Sequence, residues 1–215
     1  MPQLLLFDVQ EWVSLFIDQF KHTTVFEWLA VGFGVAEVLL ARKNNVLLYP
    51  AGIIATVIST VLLFNVQLYA ESGLNIYYLV MSVYGWIHWH RNRNEPELPI
   101  TSSSRDDWFI TLAVSFGGWL VLYLILKYFT PSTVPVLDSF VSATAWAGMW
   151  LLARRKVENW ILLNISNLVA IPLLFHKQLI LFALLTIFLF VIAIFGYLDW
   201  KKLLKKNPTQ TLQAA

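Results

Sequence analysis

The chain contains no cysteine. That excludes disulfides, thiolate nucleophiles and cysteine-based metal sites, and it leaves the redox compartment open. Charge is scarce as well. Asp, Glu, Lys and Arg make up 13% of the 215 residues, where a soluble domain carries about a quarter. Histidines stand only at positions 22, 88, 90 and 176. His88 and His90 are two apart and do not share a helix face, so no metal site is expected. No phosphate-binding loop, nucleophile elbow or zinc motif occurs. Nothing therefore points to ATP use, to catalysis or to a cofactor, and a net charge of +2 calls for no nucleic-acid partner.

What is abundant is hydrocarbon: 58% of the residues are apolar. They fall in runs of about 20, the length that crosses ~30 Å of bilayer core, and Trp and Tyr cluster near the run ends, as membrane interfaces favour. This predicts an all-α integral membrane protein whose partner is the lipid bilayer. Seven transmembrane helices fit: 26–42, 46–64, 70–90, 108–128, 135–153, 157–175 and 178–200. The N-terminal segment 1–24 lacks a basic start and a small-residue cleavage site, which argues against a signal peptide. Leu5, Val9, Trp12, Val13, Phe16 and Phe20 recur at helical spacing opposite Asp8, Glu11 and Asp18, so 1–24 is expected to be an amphipathic helix lying along the interface. Residues 91–107, "RNRNEPELPITSSSRDD", contain two prolines and form a loop. The tail, 203–215, is polar and expected to be disordered from Lys205 onward.

The basic residues sort by side. Arg42, Lys43, Arg91, Arg93, Arg105, Arg154, Arg155, Lys156, Lys201, Lys202, Lys205 and Lys206 share one side of this topology; Lys21, Lys127 and Lys177 lie on the other. The positive-inside rule makes the first side cytoplasmic, with the N-terminus outside and the C-terminus inside. One missed helix would scramble so lopsided a split.

The chain also repeats. "LLAR" at 39–42 returns at 151–154, "LLFNVQL" at 62–68 returns as "LLFHKQL" at 173–179, and "GWIHW" at 85–89 returns as "GYLDW" at 196–200. The shift is 112 for the first match and 111 for the others. Segment 26–90 thus matches 135–202, and the helix at 108–128 links them. An even number of crossings separates corresponding points, so the two three-helix repeats are parallel (a 3+1+3 arrangement). Parallel repeats are a transporter architecture, with the site near the midplane between the copies.

Polar stripes mark candidate site residues. Trp160, Asn164 and Asn167 share a helix face, with Asn167 near mid-membrane. Glu71, Asn75, Tyr78 and Ser82 form a second stripe, and Ser139, Ser142, Trp146 and Trp150 a third. A single Ser or Thr reads as helix glue, worth about 0.6 kcal/mol. Two amides below a tryptophan read as a binding stripe, because intramembrane polar groups default to function. Trp86, Trp89 and Trp200 fit the aromatic belt; Trp146 is mid-membrane, and is either packing or a stacking platform. Glu71 lies near the outer surface. Glu37 lies about 7 Å from Arg42 along its helix, and a buried carboxylate there suits a cationic substrate or is neutral by protonation.

The stretches "LLARKNNVLLYPAGI" (39–53), "LYAESGLNIYYLVMSVYGWIHW" (68–89), "WILLN" (160–164) and "GYLDWKK" (196–202) resemble the Pnu-type vitamin transporters, over nearly all of 26–202. Trp160 and Asn164 match a Trp-x-x-x-Asn/Asp pattern of that family. Asn75 stands where many members carry Gln, and Tyr49 where they carry Trp. The resemblance implies a SWEET-like 3+1+3 fold in a bacterial cytoplasmic (inner) membrane, a homo-oligomer (a trimer), and facilitated diffusion of a small-molecule vitamin that a cytoplasmic kinase then traps. Nicotinamide riboside stands first, with thiamine or riboflavin as alternatives. A sugar transporter or a non-transporting membrane scaffold stands further off. The expected substrate-binding residues are Asn75, Tyr78, Trp146, Trp160, Asn164 and Asn167, with Tyr49 and Trp86 as candidate gates and Glu37 and Glu71 as cation-attracting groups. The charge split makes a direct prediction: a reporter fused after Ala215 reads cytoplasmic, and a cysteine placed at Ser103 is labelled from that same side. An external signal from either overturns the topology.

Overall fold

The computed structural model describes residues 9–65, 69–90 and 99–206. Within them the chain is helical apart from turns and an isolated parallel bridge between Thr101 and Lys156. The helices are α1 (Val9–His22), α2 (Val25–Arg42), α3 (Leu48–Asn65), α4 (Tyr69–His90), α5 (Arg105–Phe129), α6 (Pro135–Ala153), α7 (Asn159–His176) and α8 (Ile180–Lys206).

Local chemistry sets their ends. Thr24 and Glu27 form a capping box at the start of α2, Ser104 and Asp107 form another at α5, and Pro135 opens α6 at a position where its missing N–H is harmless. Three turns close with a left-handed residue: Asn44, Arg155 and Gln178, with φ of 54°, 54° and 58°. Each follows the Schellman pattern of paired backbone bonds, as in Asn44 N to Ala41 O and Asn45 N to Leu40 O. Asn44 and Arg155 are separated by the repeat shift itself, so the turns recur as the sequence does. The counterpart of Gln178, Gln67, lies outside the described residues.

α3, α5, α6, α7 and α8 are each long and apolar enough to cross a bilayer. α2 joins them when paired with α1, from which it is bent by 104°. By itself α2 carries Glu27, Glu37 and Arg42, and α4 is diluted by Asn75, several tyrosines and two histidines. Their polar groups are where the site is sought below. Most expected helix bounds shift, and two of the shifts have a visible cause. The helix expected at 157–175 begins at Asn159, because the residues before it belong to the Arg155 turn. The last helix runs to Lys206 rather than 200, making 27 residues or about 40 Å. Lys205, expected in a disordered tail, therefore lies in its last turn; residues 207–215 and 91–98 of the expected 91–107 loop lie outside the described residues, and 105–107 of that loop open α5.

Six helices close a ring, in which α2 packs on α3, α3 on α4, α4 on α6, α6 on α7, α7 on α8 and α8 back on α2. α5 lies against α6 and α4, and α1 against α8, where Gln19 bonds to the Gln178 carbonyl at 2.6 Å and to Leu181 N at 3.1 Å.

Side chains of one helix enter the space left by glycines of the next, at places that correspond between the two halves. Tyr49 lies on Gly85, and Trp160 lies on Gly196 with ring carbons 2.7 Å from where a β-carbon would stand. Tyr49 meets Trp89 edge-on at 5.1 Å, and Trp160 meets Trp200 edge-on at 5.7 Å. The outer members then cross the ring. Trp89 Nε1 donates to the Ala153 carbonyl and Trp200 Nε1 to the Ala41 carbonyl, both at 3.0 Å. The two acceptors show the same one-residue slip as the "LLAR" match in which they stand.

The start of α5 is pinned to the α6–α7 turn. Thr101 N donates to Arg155 O, Val157 N donates to Thr101 O, and the buried Asp107 pairs with Lys156 at 2.9 Å and Arg154 at 3.3 Å. Arg155 lies 4.1 Å over the Trp89 ring. The glycine contacts generate a prediction. Gly196→Ala and Gly85→Ala are each expected to destabilise by about 1–3 kcal/mol through overpacking. Gly117→Ala, where nothing stands within 4 Å, leaves stability unchanged or raises it. Thermal unfolding in detergent distinguishes these outcomes, and equal melting temperatures for all three would refute the sockets.

Candidate functional site

α7 separates glue from orphan. Ser166 is buried and donates to the Val141 carbonyl of α6 at 2.8 Å. The interhelical bond expected of a polar residue is thus made by the serine lying between the two amides. Asn164 Oδ1 is sealed from solvent and accepts no hydrogen bond. Asn167 is half-buried one turn deeper.

The aromatic wall is built by α4 and α6. Tyr77 stacks on Trp146 with centroids 4.4 Å apart and planes 21° off parallel, and its hydroxyl donates to the Trp146 carbonyl at 3.0 Å. Tyr78 stands beside Tyr77, the rings 6.2 Å apart. One turn further along α6, Trp150 faces Tyr84 at 6.2 Å and lies under Arg154 at 5.2 Å. The indole nitrogens of Trp146 and Trp150 are buried without acceptors, and so is Ser82 Oγ without a partner. In a dry span an unmade hydrogen bond costs about 1–3 kcal/mol. Asn164 Oδ1 and these donors, on three consecutive helices of the ring, are therefore candidates to hold a polar ligand; Tyr49 Oη and Trp160 Nε1 are unbonded as well.

Trp160 is enclosed, and its Nε1 is buried without an acceptor. It is 1% exposed, with its ring between Gly196 and Trp200, so protein already covers the faces a ligand would need. The glycine on α8 opens the space that draws it in, and Trp160 acts as a wall fixing α7. Tyr49, expected as a gate, is likewise 0% exposed on Gly85; a side chain so enclosed is ill placed to swing. Trp86 stays 41% exposed. Tyr77 was missed because the 71–75–78–82 spacing selects Tyr78; only the crossing of α4 over α6 decides which neighbour meets Trp146. Trp150 had a signal, standing four residues after Trp146 on the same face.

A cavity of about 510 Å³ lies between α2, α3, α4 and α8, with Glu37, Thr56, Ser59 and Asn75 on its walls. Asn75 is therefore placed across from Glu37 rather than beside Asn164. The Glu71 side chain lies outside the described residues. A second cavity, about 700 Å³, is lined by Leu74, Asp138, Ser142 and Lys177, and there Lys177 pairs with Asp138 at 2.6 Å.

Comparison with known proteins places this geometry in a lineage. The family model for the nicotinamide mononucleotide transporter matches residues 24–202. The chain is 24% identical to the nicotinamide riboside transporter PnuC of Escherichia coli (strain K12), covering 83% of this chain and 86% of that one. It is 23% identical to the PnuC of Neisseria mucosa, covering 93% and 82%. A crystal structure of the vitamin B3 transporter PnuC superimposes with a TM-score of 0.68 at 20% identity, over 92% of this chain and 90% of that one. Matched from the capping box of α2 to the last turns of α8, this multi-pass helical membrane protein belongs to the nicotinamide mononucleotide transporter family, and is a transporter rather than an enzyme.

Proposed function

We propose that the chain carries nicotinamide riboside into the cell by facilitated diffusion. The observation that carries this reading is the Tyr77–Trp146 stack beside the sealed, unpartnered Asn164 Oδ1 and the indole nitrogens of Trp146 and Trp150. A flat pyridinium ring matches the aromatic wall, since ring faces attract both rings and cations. A carboxamide N–H donates to Asn164 Oδ1, and the indole N–H groups donate to the carboxamide oxygen or ribose hydroxyls. Tyr78, Asn75 and Asn167 complete the polar lining in this reading. The nucleoside suits this reading better than its phosphate: among the described residues the walls of the 510 Å³ cavity carry Glu37 and no lysine or arginine, and a phosphate wants such partners.

In this reading the protein crosses the membrane seven times, as two parallel repeats, α2–α4 and α6–α8, joined by α5. The N-terminus lies outside, the C-terminus inside, and α1 lies along the outer surface. The closed ring of six helices and the contacts repeated between the two halves support this arrangement. A carrier that only equilibrates needs a trap. Phosphorylation by a cytoplasmic kinase keeps the gradient inward, because the product's anionic phosphate no longer fits. The homo-oligomer, a trimer, is supported by the family resemblance alone.

Calorimetry on the purified protein against nicotinamide riboside, its 5′-phosphate, thiamine, riboflavin and glucose tests the reading. Heat is expected with the riboside; none with any of the five would refute it. Uptake into liposomes is expected to equilibrate without accumulation under an imposed proton or sodium gradient. Asn164→Leu is expected to weaken binding by about 1–3 kcal/mol, roughly 5- to 150-fold, at an unchanged melting temperature. Ser166→Ala should do the reverse, costing about 0.6 kcal/mol of stability and leaving affinity intact. Exchange of these two outcomes would make the amide the glue.

A further inference from the structure

We infer that Glu37 is a charge filter: its carboxylate in the cavity between α2, α3, α4 and α8 selects a cationic ring over an uncharged ring of the same shape. This rests on the transport reading above and adds a specificity-determining residue to it.

The first argument is packing. The Glu37 carboxylate lies in the socket of Gly52, with Oε1 2.5 Å from where a β-carbon would stand. At the corresponding joint of the second half, Leu163 of α7 fills the socket of Gly148 of α6, at 2.9 Å. The direction is reversed, since α2 supplies the knob in one case and α7 in the other. The joint between the two helices is the same, and hydrocarbon fills it in the second half. Packing therefore does not call for an acid at this joint, and an acid within a span is costly.

The second argument is pairing. Arg42, further along α2, is engaged with Asp199 at 2.7 Å. Glu27, at the other end of the cavity, is occupied by the Thr24 cap at 2.6 Å. Among the described residues Glu37 has neither an ion pair nor a hydrogen bond. The other large cavity differs, because its acid, Asp138, is neutralised by Lys177. Of the two, only the cavity at Glu37 presents an acid without a countercharge from the protein.

The third argument is position. Glu37 shares its cavity with Asn75 of α4, the helix that also carries Tyr77 of the aromatic stack. A pyridinium supplies the missing positive charge, whereas a dihydropyridine has the same size and carboxamide but no charge. Through a low-dielectric medium that difference is worth far more than in water.

The experiment is calorimetry with nicotinamide riboside and with its reduced, uncharged dihydropyridine form, on wild type, Glu37→Gln and Glu37→Leu, alongside melting temperatures. Wild type is expected to prefer the cation by about tenfold or more, roughly the effect of one weak charge contact. Glu37→Gln is expected to abolish that preference by weakening the cation alone, leaving the uncharged ring within about twofold. Glu37→Leu reproduces the hydrocarbon knob of the second half and is expected to fold and to lose the preference too. Equal weakening of both ligands, or no change in their ratio, overturns the filter. Wild type that binds both rings equally well leaves the transport reading standing and removes the filter. Wild type that binds neither defeats the transport reading and the filter with it.

Discussion

Helices in a bilayer gain nothing by hiding apolar surface from one another, since lipid is as apolar as leucine. What holds them is close van der Waals contact, and contact this close needs small residues. Gly52, Gly85, Gly148 and Gly196 provide it. Each sits on a ring helix and receives a side chain from its neighbour: Glu37, Tyr49, Leu163 and Trp160. The remaining architecture follows from these four joints. They seat α2 against α3, α3 against α4, α6 against α7 and α7 against α8, leaving two seams, α4 with α6 and α8 with α2. The Trp89 and Trp200 bonds to the carbonyls of Ala153 and Ala41 cross those seams at one end of the ring.

The packing joints of the ring nearly repeat, and they differ in chemistry where the candidate site is sought. Tyr49 and Trp160 are the same joint filled by different aromatic rings. Glu37 and Leu163 fill another joint with opposite chemistry. The Tyr77–Trp146 stack lies on the α4–α6 seam, and the opposite seam, α8 with α2, carries aliphatic side chains such as Leu185 and Leu189 toward its cavity. The aromatic stack and the acid's cavity thus stand on different seams, so the two halves of the ring are not chemically alike.

Hydrogen-bond accounting sorts the buried polar groups. Ser72 and Ser166 bond to carbonyls of a neighbouring helix and act as glue, whereas Ser139, Thr111 and Thr144 bond back to carbonyls of their own helices. Asn164 Oδ1, Trp146 Nε1, Trp150 Nε1 and Ser82 Oγ are buried and unbonded. These four groups lie on α4, α6 and α7, while Tyr49 Oη and Trp160 Nε1 are unbonded as well, inside their glycine sockets.

Much of this was legible in one dimension. Span length follows from bilayer thickness, so runs of about 20 apolar residues located the helices. The internal repeat foretold that the joints would recur, and the i, i+3, i+4 spacing put Asn164 and Asn167 on one face. Periodicity, however, says which residues share a face and not what the face meets. Trp160 shares the stripe with Asn164, yet its ring is drawn sideways into the Gly196 socket. Tyr77 and Tyr78 are neighbours about 100° apart around α4, and only the crossing with α6 chose Tyr77 for the stack. Lys156, counted only as a cytoplasmic charge, proves to clamp Asp107. The sequence by itself determined how many apolar runs there are, how they repeat and where the charges gather, because those depend on length and composition. The tertiary structure alone decided which buried polar groups find a partner and which are left unbonded, because that depends on the rotation of each helix against its neighbours.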